Sequence, residues 1–194
     1  MKSKFWTAPN QITLLRLIFV PLVVMNVMDR RYKVALILFV LAGVSDALDG
    51  LLARVLHQQT VIGQYLDPIA DKLLLSSSFL VLSFTKQIPW KFTVLVFSRD
   101  LSIVLIVGVL YVTSNIRDFR PSVFGKLNTF AQVAAIFFVL LWRIDSIPWI
   151  WTARQISLWA TFALTTISGV HYIIITGQKI HAAGNGRSAS APPR

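Results

Sequence analysis

"SDALDGLLARVLHQQTVIGQYLDPIADK", residues 45–72, sets four aspartates, Asp46, Asp49, Asp67 and Asp71, among Leu, Ile, Val and Ala. The first two acids are three residues apart and the last two are four apart, so on helices each pair shares one face. Between them the stretch "HQQTVIGQ" reads as a short loop joining two apolar runs. Antiparallel neighbours joined in this way carry both acidic pairs to one edge of a bundle, where they can converge on one site. An ionised carboxylate in apolar surroundings is costly unless it is paired or coordinates a metal. The stretch therefore needs a compensating charge.

The surrounding chain sets the solvent. Of its 194 residues 55% are hydrophobic and 14% charged, too little charge for the surface of a water-soluble domain of this length. Nineteen basic residues face eight acidic ones, every acid is Asp, and the formal net charge is +11. The Lys and Arg lie singly or in twos and threes between apolar runs, a pattern suited to loops facing anionic lipid headgroups and not to nucleic acid. The absence of cysteine excludes disulfides, zinc–thiolate sites and thiol catalysis.

A helix needs roughly 20 apolar residues to cross a bilayer. Six stretches meet that length, at about 11–28, 34–54, 66–84, 92–113, 123–142 and 155–176. The expected fold is an all-α integral membrane protein with six transmembrane helices, forming a single domain over residues 1–181. The tail 182–194, "AAGNGRSASAPPR", is small, polar and Pro-containing, and is expected to be disordered. Trp90, Trp142, Trp149 and Trp151 fall near span ends, where interfacial aromatic residues collect. The basic start before the first apolar run resembles a signal peptide but lacks a small-residue cleavage site, so it is read as a retained first span. A slight excess of Lys and Arg at both termini and in the second and fourth loops places those segments on the cytoplasmic side of a multi-pass protein.

Four carboxylates in a partly dehydrated space repel one another. Two hard divalent cations with oxygen ligands would neutralise them, and two-metal sites stabilise attacking and leaving oxygens in phosphoryl displacement. A carboxylate at the edge of such a cluster can take a proton from an attacking hydroxyl, and Asp71, deepest along its helix, suits that role. The competing reading is an ion-pair network in which Asp67 and Asp71 pair with Lys72 and Arg54. That network leaves the regular double spacing unexplained. A third reading, an ion or proton transporter using intramembrane acids, leaves the glycine and arginine spacing idle. Gly50 and Gly63 allow close approach to backbone and Arg54 offers a fork of donors to a diphosphate. Gly50 and Ala53 serve helix packing equally well.

Asp46, Asp49-Gly50, Ala53-Arg54, Gly63, Asp67 and Asp71, at these intervals, resemble the signature of the CDP-alcohol phosphatidyltransferases without a departure. The resemblance implies the six-helix fold of that family and transfer of a phosphatidyl group from a CDP-lipid to an alcohol, with release of CMP. It implies that Asp46, Asp49, Asp67 and Asp71 bind two divalent cations, Mg²⁺ or Mn²⁺, that Asp71 doubles as general base, and that Gly50, Ala53, Arg54 and Gly63 line the CDP-lipid pocket. Dimers are common in the family; the sequence identifies no interface.

"PNQITLLRL" (9–17) resembles the first helix of the phosphatidylglycerophosphate synthase and cardiolipin synthase branches, where Asn10, Thr13 and Arg16 would hold the nucleotide or the fold. Arg16 could equally snorkel to the headgroups. The fourth run carries Arg99-Asp100 but has Val107 where phosphatidylglycerophosphate synthases place a second arginine. "IPWKFTVLVFSRD", "PSVFGKLNTFAQ" and "FALTTISGVHYIIITGQK" look more like the CDP-diacylglycerol-dependent cardiolipin synthases, whose acceptor is phosphatidylglycerol. Glycerol 3-phosphate is the alternative acceptor. Arg99 and Lys126 are the candidate acceptor-binding residues. For Arg99 a structural ion pair with Asp100 weighs at least as much, and for Lys126 the alternative is an interfacial lysine.

Overall fold

Long apolar runs without turn residues satisfy their backbone hydrogen bonds internally, as helices. The computed structural model describes the backbone of residues 8–55, 61–114 and 123–189, and the side chains of 15–45, 69–105 and 125–171. Among the described residues there are six helices and no strand: α1 Ala8–Met28, α2 Tyr32–Val55, α3 Val61–Phe84, α4 Trp90–Ser114, α5 Val123–Ile144 and α6 Pro148–Ala189.

The helices match the six apolar runs, with two extensions. α3 starts at Val61 and takes in the second half of the expected loop, because extending a formed helix is cheap and one glycine costs only about 1 kcal/mol. α6 starts at Pro148 and runs for 42 residues to Ala189. Proline is favourable in the first turn, where its missing N–H has no partner to lose. Helix thus covers 182–189, and residues 190–194 lie outside the described set.

Packing closes the helices into a ring. α1 packs on α2, α2 on α5, α5 on α6, α6 on α4, α4 on α3, and α3 back on α1, with α3 and α5 also touching. Among the described residues α2 and α3 do not touch each other, and α1 packs against both.

The two ends of the ring differ in chemistry. The end with short turns holds the apolar core: Val23 and Val27 of α1, Phe39 of α2, Phe79 and Leu82 of α3, Phe92 and Val96 of α4, Ile136 and Leu140 of α5, and Leu158 of α6. Ala35 and Ala42, both fully buried, present small side chains along one stripe of α2, which lets backbones approach closely. Toward the other end the interior turns polar, with Arg16, Asn128, Gln132, Thr165 and Ser168 all buried.

The outer surface is apolar on every helix. Ile18, Ile37, Leu73, Val94, Phe130 and Ile156, one from each, are exposed. A water-soluble protein seldom exposes contiguous apolar surface on this scale. Among the described residues one helix, Gly125–Ile144, is long and apolar enough to cross a membrane by length and composition, with shorter apolar stretches at Leu15–Met28 and Tyr32–Ser45. Charged side chains such as Asp71, Lys72, Arg99 and Asp100 interrupt α3 and α4.

Candidate active site

The buried face of α1 runs through Arg16, Val23 and Val27, two turns and then one turn apart. On α3 the corresponding stripe is Leu74, Leu75, Ser78, Phe79 and Leu82, and Asp71 lies one turn before it. The α1–α3 seam is therefore apolar along most of its length and polar at one end. There Arg16 Nη1 donates to Asp71 Oδ1 at 2.7 Å. Arg16 is only 1% exposed, whereas the Asp71 side chain is 41% exposed. Arg16 accordingly points inward and does not snorkel to the surface. It fixes one oxygen of a carboxylate that remains accessible.

Lys72 is the next residue along α3, about 100° further round the helix, and turns toward α4. Its Nζ donates to both oxygens of Asp100, each at 2.8 Å. Asp100 Oδ1 also accepts from Arg99 Nη1 at 2.7 Å, and Arg99 Nη2 donates to Ser168 Oγ on α6 at 2.8 Å. Neighbours in sequence do not face each other on a helix, so Arg99 must fold back along its stem to reach Asp100. One carboxylate, 12% exposed, thus holds two cations and ties α3, α4 and α6 together. Lys72 pairs with Asp100, and Asp71 with Arg16.

On α5, Asn128 Oδ1 accepts from Thr165 Oγ1 at 2.8 Å, pinning α5 to α6. One turn further, Gln132 is fully buried and neither side-chain atom of its amide has a partner among the described residues. Lys126 is exposed near the start of α5. Arg16, Asp71, Lys72, Asn128 and Gln132 lie in the helix halves nearest the α2–α3 connection, and Arg99, Asp100 and Ser168 lie near the midpoints of α4 and α6.

The side chains of Asp46, Asp49, Gly50, Ala53, Arg54, Gly63 and Asp67 lie outside the described residues; their backbone is helical, in the last turns of α2 and the first turns of α3. Among the described residues no three acids or histidines come together. The donor set itself is all carboxylate oxygen, which suits a hard divalent cation. Asp71, held at one oxygen by Arg16 and accessible, fits a place in such a set.

The pairing of Arg16 with Asp71 was not readable from sequence, because 55 positions separate them. Gln132, Thr165 and Ser168 carried one weak signal, a polar side chain inside an apolar run.

A sequence model described as CDP-alcohol phosphatidyltransferase matches residues 6–167. Over 179 residues the chain is 37% identical to a Mycobacterium tuberculosis protein named "Probable phosphatidylglycerophosphate synthase", covering 89% of this chain and 82% of that one. A human "Cardiolipin synthase (CMP-forming)" is 37% identical over 108 residues, covering 55% of this chain and 35% of the human protein. A Bacillus subtilis "CDP-diacylglycerol--glycerol-3-phosphate 3-phosphatidyltransferase" is 30% identical over 183 residues, covering 84% and 92%.

Proposed function

The chain belongs to the CDP-alcohol phosphatidyltransferase family, and from that premise we propose that it transfers the phosphatidyl group of CDP-diacylglycerol to phosphatidylglycerol, giving cardiolipin and CMP. It is an enzyme of phospholipid biosynthesis in a membrane-associated family whose members generally use divalent metals. The family's substrates are CDP-alcohol donors and lipid or alcohol acceptors. All six helices cross the bilayer in this reading, supported by an apolar exterior on each helix and polar side chains inside. The excess of basic residues in the second and fourth loops and at the termini supports an active site on the cytoplasmic side.

The donor is assigned to the α2–α3 end. Asp46, Asp49, Asp67 and Asp71 would hold two divalent cations, Mg²⁺ or Mn²⁺, and Gly50, Ala53, Arg54 and Gly63 would line the CDP-lipid pocket. Bound there, the cations would neutralise the diphosphate and stabilise the CMP leaving group. A primary hydroxyl of the acceptor attacks the β-phosphorus, the bond from that phosphorus to the CMP oxygen breaks, and the hydroxyl proton passes to Asp71. Arg16 keeps the Asp71 carboxylate oriented by holding Oδ1.

The acceptor rests on one observation: Arg99 has Nη1 on Asp100 and Nη2 on Ser168, and Lys72 spends its ammonium on the same Asp100. Two cations sharing one carboxylate leave a single net positive charge in this cluster, fewer than the two charges of a phosphomonoester. Lys126, exposed on the same half of the bundle, matches the single charge of a phosphodiester such as phosphatidylglycerol.

Glycerol 3-phosphate is the second reading, favoured by the Mycobacterium and Bacillus relatives, whose names concern phosphatidylglycerophosphate synthesis and phosphatidyl transfer to glycerol 3-phosphate. Incubating the purified protein with CDP-diacylglycerol, Mg²⁺ and each acceptor separates the two. Cardiolipin is the expected product. Phosphatidylglycerophosphate as the sole product would replace the first reading by the second.

A further inference from the structure

The end of the bundle opposite the acids carries a site that phosphatidyl transfer leaves unused. An open cavity of about 360 Å³ lies between the α1–α2 turn and the C-terminal end of α5. Four cations line it, Arg30, Arg31, Lys33 and Arg143, together with Val34 and Ile144. Arg143 is oriented by its guanidinium, 5.2 Å over the ring of Tyr32. Asp29 and Asp145 adjoin the cluster in sequence, yet among the described residues no carboxylate pairs with any of the four cations.

The backbone adds a second observation. Arg31 N–H donates to Asn26 O at 2.8 Å and Arg30 N–H to Val27 O at 3.1 Å, which closes α1 in a Schellman turn. The residue after the cap in that motif is left-handed and usually glycine. Here it is Arg30, with φ 59°. α3 ends in the same way, with Lys86 at φ 60° in the glycine position. A side chain kept where glycine fits better points to a role for that side chain, and Arg30 faces the cavity.

We propose that this cavity binds the phosphate of an anionic phospholipid headgroup, at the membrane edge opposite the acidic constellation. Arginine forks suit phosphate oxygens, and clustered cations at a membrane surface favour anionic lipid. A lipid, and not a free anion, fits the rest of the lining. Val34 opens onto an exposed apolar stripe, Val34, Ile37 and Leu41, along one face of α2, where an acyl chain can lie. The proposal rests on the bilayer placement given above and is independent of the acceptor.

The test uses the purified, delipidated full-length protein, with phosphatidylserine as probe because it is anionic and is not the proposed acceptor. Native mass spectrometry compares its retention with that of phosphatidylcholine. The wild type is expected to prefer phosphatidylserine at least tenfold, and Arg31→Gln/Arg143→Gln to lose that preference. Arg30→Gly should weaken it several-fold while Tm holds or rises, because glycine relieves the left-handed backbone. Lys86→Gly relieves the same strain away from the cavity and should leave the preference intact.

Equal retention of both lipids by the wild type, or an unchanged preference in the double variant, overturns the proposal. So does millimolar inorganic phosphate that displaces the lipid and raises Tm as much, since the site then takes a free anion. CMP release should persist in all these variants. Its absence in the wild type, with the lipid preference present, would count against the proposed transfer reaction and not against this site.

Discussion

Arg16 and Asp71, 55 positions apart in sequence, meet at 2.7 Å across the α1–α3 seam, the arginine buried and the carboxylate partly exposed. Replacing Arg16 by Met keeps most of the bulk and removes the charge. A charged hydrogen bond contributes about 1.5–3 kcal/mol, and the partial exposure of Asp71 places this one toward the lower end. Arg16→Met should therefore lower stability by about 1–2 kcal/mol in thermal unfolding and slow CMP release at least tenfold. Arg16→Lys should fall between, keeping the charge without the planar fork.

Asp71→Asn keeps the shape of the side chain and removes the proton acceptor. Loss of a positioned base costs roughly 10²- to 10⁴-fold in rate. CMP release should drop by that order while the protein still elutes as a folded species. Turnover near the wild-type rate would remove Asp71 from the proton-transfer role.

Asp100 holds Lys72 and Arg99 at once, so Asp100→Asn leaves two cations facing each other in a mostly buried place. A destabilisation of about 2–4 kcal/mol is expected, larger than for Lys72→Met, which leaves the Arg99–Asp100 pair in place. Chemical or thermal unfolding of the two variants side by side decides the order. Equal effects would mean that the Lys72–Asp100 pair carries the stabilisation and that the Arg99–Asp100 pair adds none.

Chelation tests the four-aspartate assignment. Treatment with EDTA should abolish CMP release, and Mg²⁺ or Mn²⁺ should restore it. Asp46→Asn should raise the Mg²⁺ concentration needed for half-restoration. Full activity in excess EDTA would leave the acids without a metal role.

Gln132 places an amide in a fully buried position with no partner for either side-chain atom among the described residues. Gln132→Leu removes that unsatisfied group at similar volume. It should raise stability by about 1 kcal/mol, visible as a higher Tm. A lower Tm would show that the amide has a partner, such as a bound water.

The apolar runs determined the number, order and approximate limits of the helices, because a backbone without competing polar partners must satisfy itself. Their ends were less legible: α3 and α6 begin earlier than the runs, where a polar or Pro-containing stretch still extends a formed helix at little cost. The spacing of Asp46, Asp49, Asp67 and Asp71 gave the family and the class of reaction. Sequence periodicity says which residues share a face, but not which faces meet. Only the ring closure decided that α1 lies against both α2 and α3, that Arg16 turns inward to Asp71, and that Lys72 leaves its own helix for Asp100. Those contacts depend on packing between helices distant in sequence, so they belong to the tertiary structure. The same holds for Asp71: the spacing of residues 45–72 predicts that the acids gather, and α1 brings the charge of Arg16 to Asp71.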